Sequence, residues 1–175
     1  MQPIATQETS GVTGPSAVGE FPAGTLVIGI GNNLLGDDGA GIHAIERLRA
    51  KNLPDHVELV DGGTLSFTLL EQVENAEYLV IVDAAELDAE PGTVRVFKNA
   101  EMDEFLATSR RPSVHEVNLL DVLTAARLRR RMPARYAMVG IQPLDVEWSS
   151  TPSIPVDKAV DEAVDIIAEL VGESA

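Results

Sequence analysis

The sequence predicts an α/β fold: a three-layer α/β/α sandwich with a mostly parallel twisted sheet of about five strands. Two observations predict it. Apolar runs of strand length, such as TLVIGI at residues 25–30, alternate along the chain with segments of helical periodicity. These runs lack polar alternation, which is typical of strands buried on both faces of a parallel sheet. Helices are therefore expected on both faces of the sheet.

The first half of the chain contains three predicted strands. The strand at residues 25–30 precedes a helix in GAGIHAIERLRAK, where Ile42, Ile45 and Leu48 share one face. VELVDGG predicts a second strand ending at Asp61, and LSFTLLEQVENA predicts a second helix. YLVIVDA is a third apolar strand, which ends at Asp83.

The second half begins with a Pro-Gly turn at residues 91–92. The alternation in TVRVF then predicts a shorter edge strand, with an antiparallel direction left open. EMDEFLAT predicts a short helix, and Ser113 with Glu116 forms a capping-box pattern for the next helix. RYAMVGIQP is the last predicted strand, which Pro143 stops. Apolar residues at three- and four-residue spacing from Val156 to Leu170 predict the final helix.

Composition limits the domain organisation and the partners. Residues 1–24 are rich in Gly, Pro, Ser and Thr, and predict a disordered lead before a single domain at residues 25–172. The net charge of −15 argues against binding nucleic acid or an anionic membrane. The basic cluster at residues 127–135 is interpreted as a solvated helix end. No window resembles a membrane span, and the chain has no cysteine, so we expect a cytoplasmic location. We also expect a monomer.

Acidic residues follow several of the predicted strands. Ligands of open parallel sheets bind beyond the carboxyl ends of the strands. The segments there are residues 31–38, 61–64, 83–86 and 142–143, and three of the four carry acids. Asp83 ends an apolar strand, where a carboxylate is costly unless it is paired, hydrogen-bonded or coordinated.

Each candidate residue also has a purely structural interpretation. One of Asp37 and Asp38 is expected to cap the following helix, which leaves the other for another task. Asp83 could cap a turn, and His115, in the first turn of a predicted helix, could be a surface residue. His43 and His56 are expected at the surface. Two carboxylates and one imidazole would otherwise form an N/O site suited to Ni, Zn or Fe.

Three other classes of protein fit the sequence less well. A dinucleotide-binding loop needs G-x-G-x-x-G, whereas Gly29-Ile-Gly31 is followed here by four residues before the next glycine, Gly36, and then by two acids. A phosphoacceptor receiver domain shares the acid pair and the strand-ending aspartate, but Gln142 stands where its lysine is required. A serine hydrolase needs a G-x-S-x-G elbow, which the sequence lacks. The metal-site interpretation remains.

A set of motifs carries a family resemblance. GIGNNLLGDDGAG, DGGT, VIVDA, PGTV, SVHEVNL and VGIQP occur in this order over about residues 26–170. The chain resembles the NiFe-hydrogenase maturation proteases, endopeptidases that remove the C-terminal extension of a hydrogenase large-subunit precursor. The resemblance implies metal-binding positions at Asp38, Asp83 and His115, the first of which is Glu in some members.

The resemblance also implies the identity of the metal and of the partner. The metal recognised would be nickel already inserted in the large-subunit precursor, so that the protease detects whether its substrate is loaded. Gly31, Gly62 and Gly63 are expected to let an extended peptide approach the backbone closely. Nickel could polarise the scissile carbonyl or activate a water, or it could serve for docking while a carboxylate acts as general base.

Overall fold

The structure is a computed structural model that describes residues 24–64, 67–108 and 114–172. The predicted lead at residues 1–24 lies outside the described residues, apart from Gly24. The same holds for Ser113 and the side chain of Glu116, so the predicted capping box is outside what the structure describes.

Within these ranges, five strands form one sheet in the order β2-β1-β3-β5-β4. Their bounds are β1 Thr25–Ile30, β2 Val57–Gly63, β3 Tyr78–Ala84, β4 Val94–Lys98 and β5 Arg135–Ile141. Neighbouring strands are parallel except at the edge, where β4 runs antiparallel to β5. The prediction of a mostly parallel sheet with a short edge strand is confirmed. β2 continues two residues past the predicted end at Asp61, because the N–H of Gly31 donates to the carbonyl of Gly63 at 2.8 Å and prolongs the pairing.

Among the described residues, four helices connect the strands and a fifth follows the last strand. They are α1 Ala40–Leu48, α2 Leu70–Asn75, α3 Ala100–Thr108, α4 Val114–Leu128 and α5 Ile154–Gly172. Two short 3-10 turns precede them, at Gly36–Gly39 before α1 and at Phe67–Leu69 before α2. In the described part of LSFTLLEQVENA, the 3-10 turn precedes α2, and the first two letters of this segment lie outside the described residues.

The helices lie in two layers, one on each face of the sheet. α1 and α5 cover one face with a cluster that includes Ile45, Val160 and Ile167. Helices α2, α3 and α4 cover the other face with a cluster that includes Met102 and Leu123. Every residue of β1 and β3 is buried, as expected for central strands covered on both sides. The predicted three-layer sandwich is confirmed.

The parallel strands all end at one edge of the sheet, which we call the carboxyl edge. Helix α4 begins at this edge and runs back to the opposite edge, so its first turn lies at the carboxyl edge and its last residue, Leu128, lies at the other end. The arginines of the predicted basic helix end are exposed, and Arg129 pairs with Glu74 at 3.1 Å. Within the described ranges, no helix is long and apolar enough to cross a membrane.

Candidate active site at the carboxyl edge

The imidazole of His115 lies between two carboxylates at the carboxyl edge. Its Nε2 is 3.6 Å from Oδ2 of Asp38, and its Nδ1 is 3.6 Å from Oδ1 of Asp83. These three residues are far apart along the chain and come from three different elements. The structure therefore brings together the three residues for which the sequence predicts a metal role.

Three elements of the fold hold these side chains. Asp83 is the sixth residue of β3, paired with Gly140 of β5, which fixes its backbone in the middle of the sheet. Asp38 lies in the 3-10 turn before α1, where its Oδ2 accepts the N–H of Asn32 at 3.1 Å. The first turns of α4, which carry His115, are tied to the end of β2 because the amide of Asn118 donates to the carbonyl of Thr64 at 3.1 Å.

The three side chains differ in their access to solvent. The exposed fraction of the side chain is 0% for Asp83, 7% for His115 and 16% for Asp38. A ligand arriving from solvent therefore meets Asp38 and the Nε2 atom of His115 first. Asp83 lies behind the imidazole and contacts its other nitrogen, an arrangement that orients a histidine ring.

The donor atoms suit a borderline divalent metal. Nitrogen and oxygen ligands lie about 2.1 Å from such an ion, so two ligands of a tetrahedral site are about 3.4 Å from each other. The separation of 3.6 Å between Asp38 and Nε2 of His115 is close to that value. However, the two imidazole nitrogens face different carboxylates. Accordingly, among the described residues no three His, Cys, Asp or Glu side chains are grouped to hold one ion.

Comparisons with known proteins identify the family. The model of the hydrogenase maturation protease family matches residues 42–170. A hydrogenase expression/formation protein HupD from Rhizobium leguminosarum bv. viciae is 35% identical over 157 residues, which cover 88% of this chain and 77% of the relative. This chain belongs to the hydrogenase maturation protease family. The hydrogenase 2 maturation protease of Escherichia coli K12 is 32% identical over 151 residues, covering 85% of this chain and 91% of the relative.

Solved structures of the family share the fold of this protease. The hydrogenase maturating endopeptidase HybD from E. coli superposes with a TM-score of 0.80 at 31% identity, covering 87% of this chain and 94% of that chain. The HybD protease from Thermococcus kodakarensis gives 0.72 at 30% identity, with 85% and 99% coverage. The matches give no support to the receiver-domain alternative.

Asp37 of the protease is not a helix cap, which corrects the expectation that Asp37 or Asp38 would cap α1. Neither side chain bonds to the first turn of α1, whose N-cap residue is Gly39. The buried carboxylate of Asp37 instead accepts the N–H groups of Leu144, Asp145 and Ser153 and the hydroxyl of Ser153, at 2.6–3.1 Å. It therefore joins the β1–α1 loop to the β5–α5 segment.

Gln142 has a comparable structural task. Its side chain is buried, and Oε1 accepts the N–H of Leu87 at 2.7 Å, while Nε2 donates to the carbonyl of Pro143 at 3.3 Å. The sequence indicated only that Gln142 is no receiver lysine. Leu87, which donates to Oε1 of Gln142, and the partners of Asp37 lie more than 50 residues away along the chain, so no local pattern could have indicated either task.

The three glycines expected to face a peptide differ in their surroundings. Gly31 has φ +144° and packs against the carbonyl oxygen of Asp38, so a side chain there would clash with the protease itself. A Cβ on Gly62 would lie 2.6 Å from Cγ2 of Ile28. Gly63 has φ +51° and open space above it. Packing within the fold thus explains why glycine stands at positions 31 and 62. Substrate binding at the three glycines stays a prediction.

The two remaining histidines were expected at the surface, and this expectation is only partly met. His43 and His56 are each half-buried. Nδ1 of His43 is 3.4 Å from Oε2 of Glu46, one turn along α1. The carbonyl of His56 accepts the N–H of Thr25 at the start of β1, at the edge opposite His115. Asp61 is exposed at the carboxyl edge and accepts the N–H of Gly63 at 2.9 Å.

Proposed function

We propose that this protease removes the C-terminal extension of a NiFe-hydrogenase large-subunit precursor after nickel insertion, and that it recognises the inserted nickel. One observation carries the proposal: in a chain of the maturation protease family, a nearly buried imidazole lies 3.6 Å from each of two carboxylates at the ligand-binding edge of the sheet. Its relatives include a protein named hydrogenase 2 maturation protease. The proposed protease is a cytoplasmic monomer that binds neither nucleic acid nor membranes.

Nickel is part of the substrate in this proposal. Asp38 and Nε2 of His115 are the groups nearest to solvent, so they are proposed to contact nickel that the precursor already holds. Asp83 contacts Nδ1 of the same ring in the free protease. It either keeps the ring in place by this contact or becomes a third ligand when the precursor binds. Hard oxygen and imidazole donors fit a borderline divalent ion such as nickel.

Two routes to peptide hydrolysis are consistent with these groups. Nickel could polarise the scissile carbonyl or activate a water. Alternatively, nickel serves only for docking, and a carboxylate of the site removes a proton from the attacking water. The two routes differ in kinetics. If nickel is only a docking group, precursor without nickel is cleaved with a raised KM and an unchanged kcat, whereas the first route lowers kcat as well.

The decisive experiment is incubation of the protease with nickel-loaded and nickel-free large-subunit precursor, followed by mass spectrometry. We expect loss of a C-terminal peptide from the loaded precursor. The variant His115→Ala should abolish this loss, because it removes the imidazole that both carboxylates contact. His56→Ala is the matched control, since His56 is a half-buried histidine at the opposite edge of the sheet, and it should cleave normally. Normal cleavage by His115→Ala would refute the assigned role.

A further inference from the structure

The carboxyl edge exposes an unusual share of the large apolar side chains. In the part of the chain that the structure describes, eight such side chains are exposed, and seven lie on segments at this edge. Four of the seven, which we call the rim surface, are Leu34, Leu144, Val146 and Trp148. Trp148 is 82% exposed and is the single tryptophan of the chain. Clustered exposed apolar residues mark interaction surfaces more often than chance.

The rim surface is firmly attached to the loop that carries Asp38. The N–H of Ser149 donates to the carbonyl of Leu34 at 3.1 Å, and the N–H of Gly36 donates to the carbonyl of Ser149 at 2.8 Å. The carboxylate of Asp37, next to Asp38 in the chain, accepts the N–H of Leu144 at 2.8 Å. A protein bound to the rim surface is therefore held beside Asp38.

The same edge is acidic. Asp145 and Glu147 alternate with the apolar residues in LDVEW, and all five residues are exposed. The four described segments at this edge, residues 31–39, 61–64, 85–93 and 142–153, contain eight acidic residues and neither lysine nor arginine. A partner that fits this surface must combine apolar and basic side chains, since opposite charge favours association and like charge opposes it.

We propose that the rim surface docks the folded body of the precursor, through a precursor face that combines apolar and basic side chains. This inference rests on the proposed function, because it supplies the docking surface for the substrate of that site. A second copy of the chain fits poorly, since a two-fold dimer would place the acidic edge against itself. An anionic membrane is disfavoured by the same charge.

The first test is steady-state processing of nickel-loaded precursor by the double variant Leu144→Ala/Val146→Ala. We expect KM to rise about tenfold or more, as for residues central to a protein interface, with a much smaller change in kcat. Leu128→Ala is the matched control. Leu128 is 81% exposed but lies about 20 Å along α4 from His115, so its KM should stay within about twofold of wild type. An unchanged KM in the double variant overturns the proposal.

A second test separates docking from the proposed chemistry. Protease labelled with 5-fluorotryptophan gives one fluorine NMR signal, from position 148. We expect this signal to shift and broaden on addition of precursor, in wild type and in His115→Ala alike. Failure of the nickel role would appear as normal cleavage by His115→Ala. Failure of the docking proposal would appear as an unmoved fluorine signal during normal cleavage.

The acidic character gives a third measurement. The variant Glu147→Gln should weaken precursor binding and reduce its dependence on salt, because a charge contact is lost, whereas Glu162→Gln on the exposed face of α5 should do neither. Size-exclusion chromatography with light scattering tests whether a second copy of the chain binds the rim surface instead. A dimer of the protease alone that Trp148→Ala converts to monomer would overturn the proposal in favour of self-association.

Discussion

Asp37 offers the sharpest test of how the site is built. Its Oδ1 accepts the N–H of Ser153 at 2.6 Å, and its Oδ2 accepts the N–H groups of Leu144 and Asp145 and the hydroxyl of Ser153 at 2.8, 3.1 and 2.8 Å. In Asp37→Asn, the amide oxygen can serve the three donors at the Oδ2 position, but the NH2 group then faces the N–H of Ser153. One donor loses its acceptor, and the other three bonds lose a charged acceptor.

The expected cost follows from these four bonds. A buried donor left unsatisfied costs about 1–3 kcal/mol, and bonds to a neutral acceptor are weaker than bonds to a charged one. Because the segment lies at the surface, water replaces part of the lost hydrogen bonding. We therefore expect the free energy of opening this segment to fall by about 2–3 kcal/mol. That corresponds to amide hydrogen exchange about 30- to 150-fold faster at Leu144, Asp145 and Ser153.

The assay is native-state hydrogen exchange followed by NMR. Asp61→Asn is the control, because Asp61 is an exposed aspartate at the same edge that accepts one N–H, from Gly63. It should leave the three amides unaffected. If Asp37→Asn leaves exchange at residues 144, 145 and 153 unchanged, Asp37 does not hold the β5–α5 segment, and its burial must have another reason.

Two further predictions concern stability. Arg47 of α1 bonds to Asp157 and, at 2.6 Å, to Asp161, both on α5; because these side chains are partly exposed, Arg47→Met should lower the free energy of unfolding by about 0.5–1 kcal/mol, and by less in 1 M NaCl. Urea denaturation at two salt concentrations measures this, and an equal loss at both would contradict an ionic origin. Burial and the hydrogen bond donated to Asp103 raise the pKa of Tyr136 above 10 in the folded state. Folding therefore favours the protonated phenol, and stability should fall as pH rises above about 10; Tyr136→Phe should remove that part of the fall in alkaline denaturation, and an identical pH profile in both proteins would refute it.

Much of the fold could be predicted because its signals are local. The apolar runs of β1 and β3 are long enough to identify buried strands, and the spacing from Val156 to Leu170 is unambiguous for a helix. The antiparallel direction of β4 was left open, since alternation in TVRVF is compatible with either direction. The pairing of β2 beyond Asp61 depends on the hydrogen bond between Gly63 and Gly31. These two glycines are 32 residues apart in the sequence, so no local pattern contains this contact.

The site was predictable to a different extent. The strand ends indicated which segments meet, and the family resemblance selected Asp38, Asp83 and His115, which the fold does bring together. The sequence could not predict which of Asp37 and Asp38 has which role. The adjacency of two acids indicated a second task, but the partners of Asp37 lie more than 100 residues along the chain.

The different partners of Asp37 and Asp38 connect precursor docking with the site at His115. Asp37 and Asp38 are consecutive residues of one 3-10 turn, and their carboxylates serve different elements: the rim segment for Asp37, the imidazole of His115 for Asp38. A short turn cannot move one of these side chains far without moving the other. We therefore expect a precursor bound at Trp148 to shift the turn that positions Asp38. Loss of the Asp37 hydrogen bonds should make the side chains of both aspartates more mobile. Asp37→Asn should accordingly raise KM and lower kcat together, whereas the Leu144→Ala/Val146→Ala variant, which leaves the turn intact, should affect mainly KM.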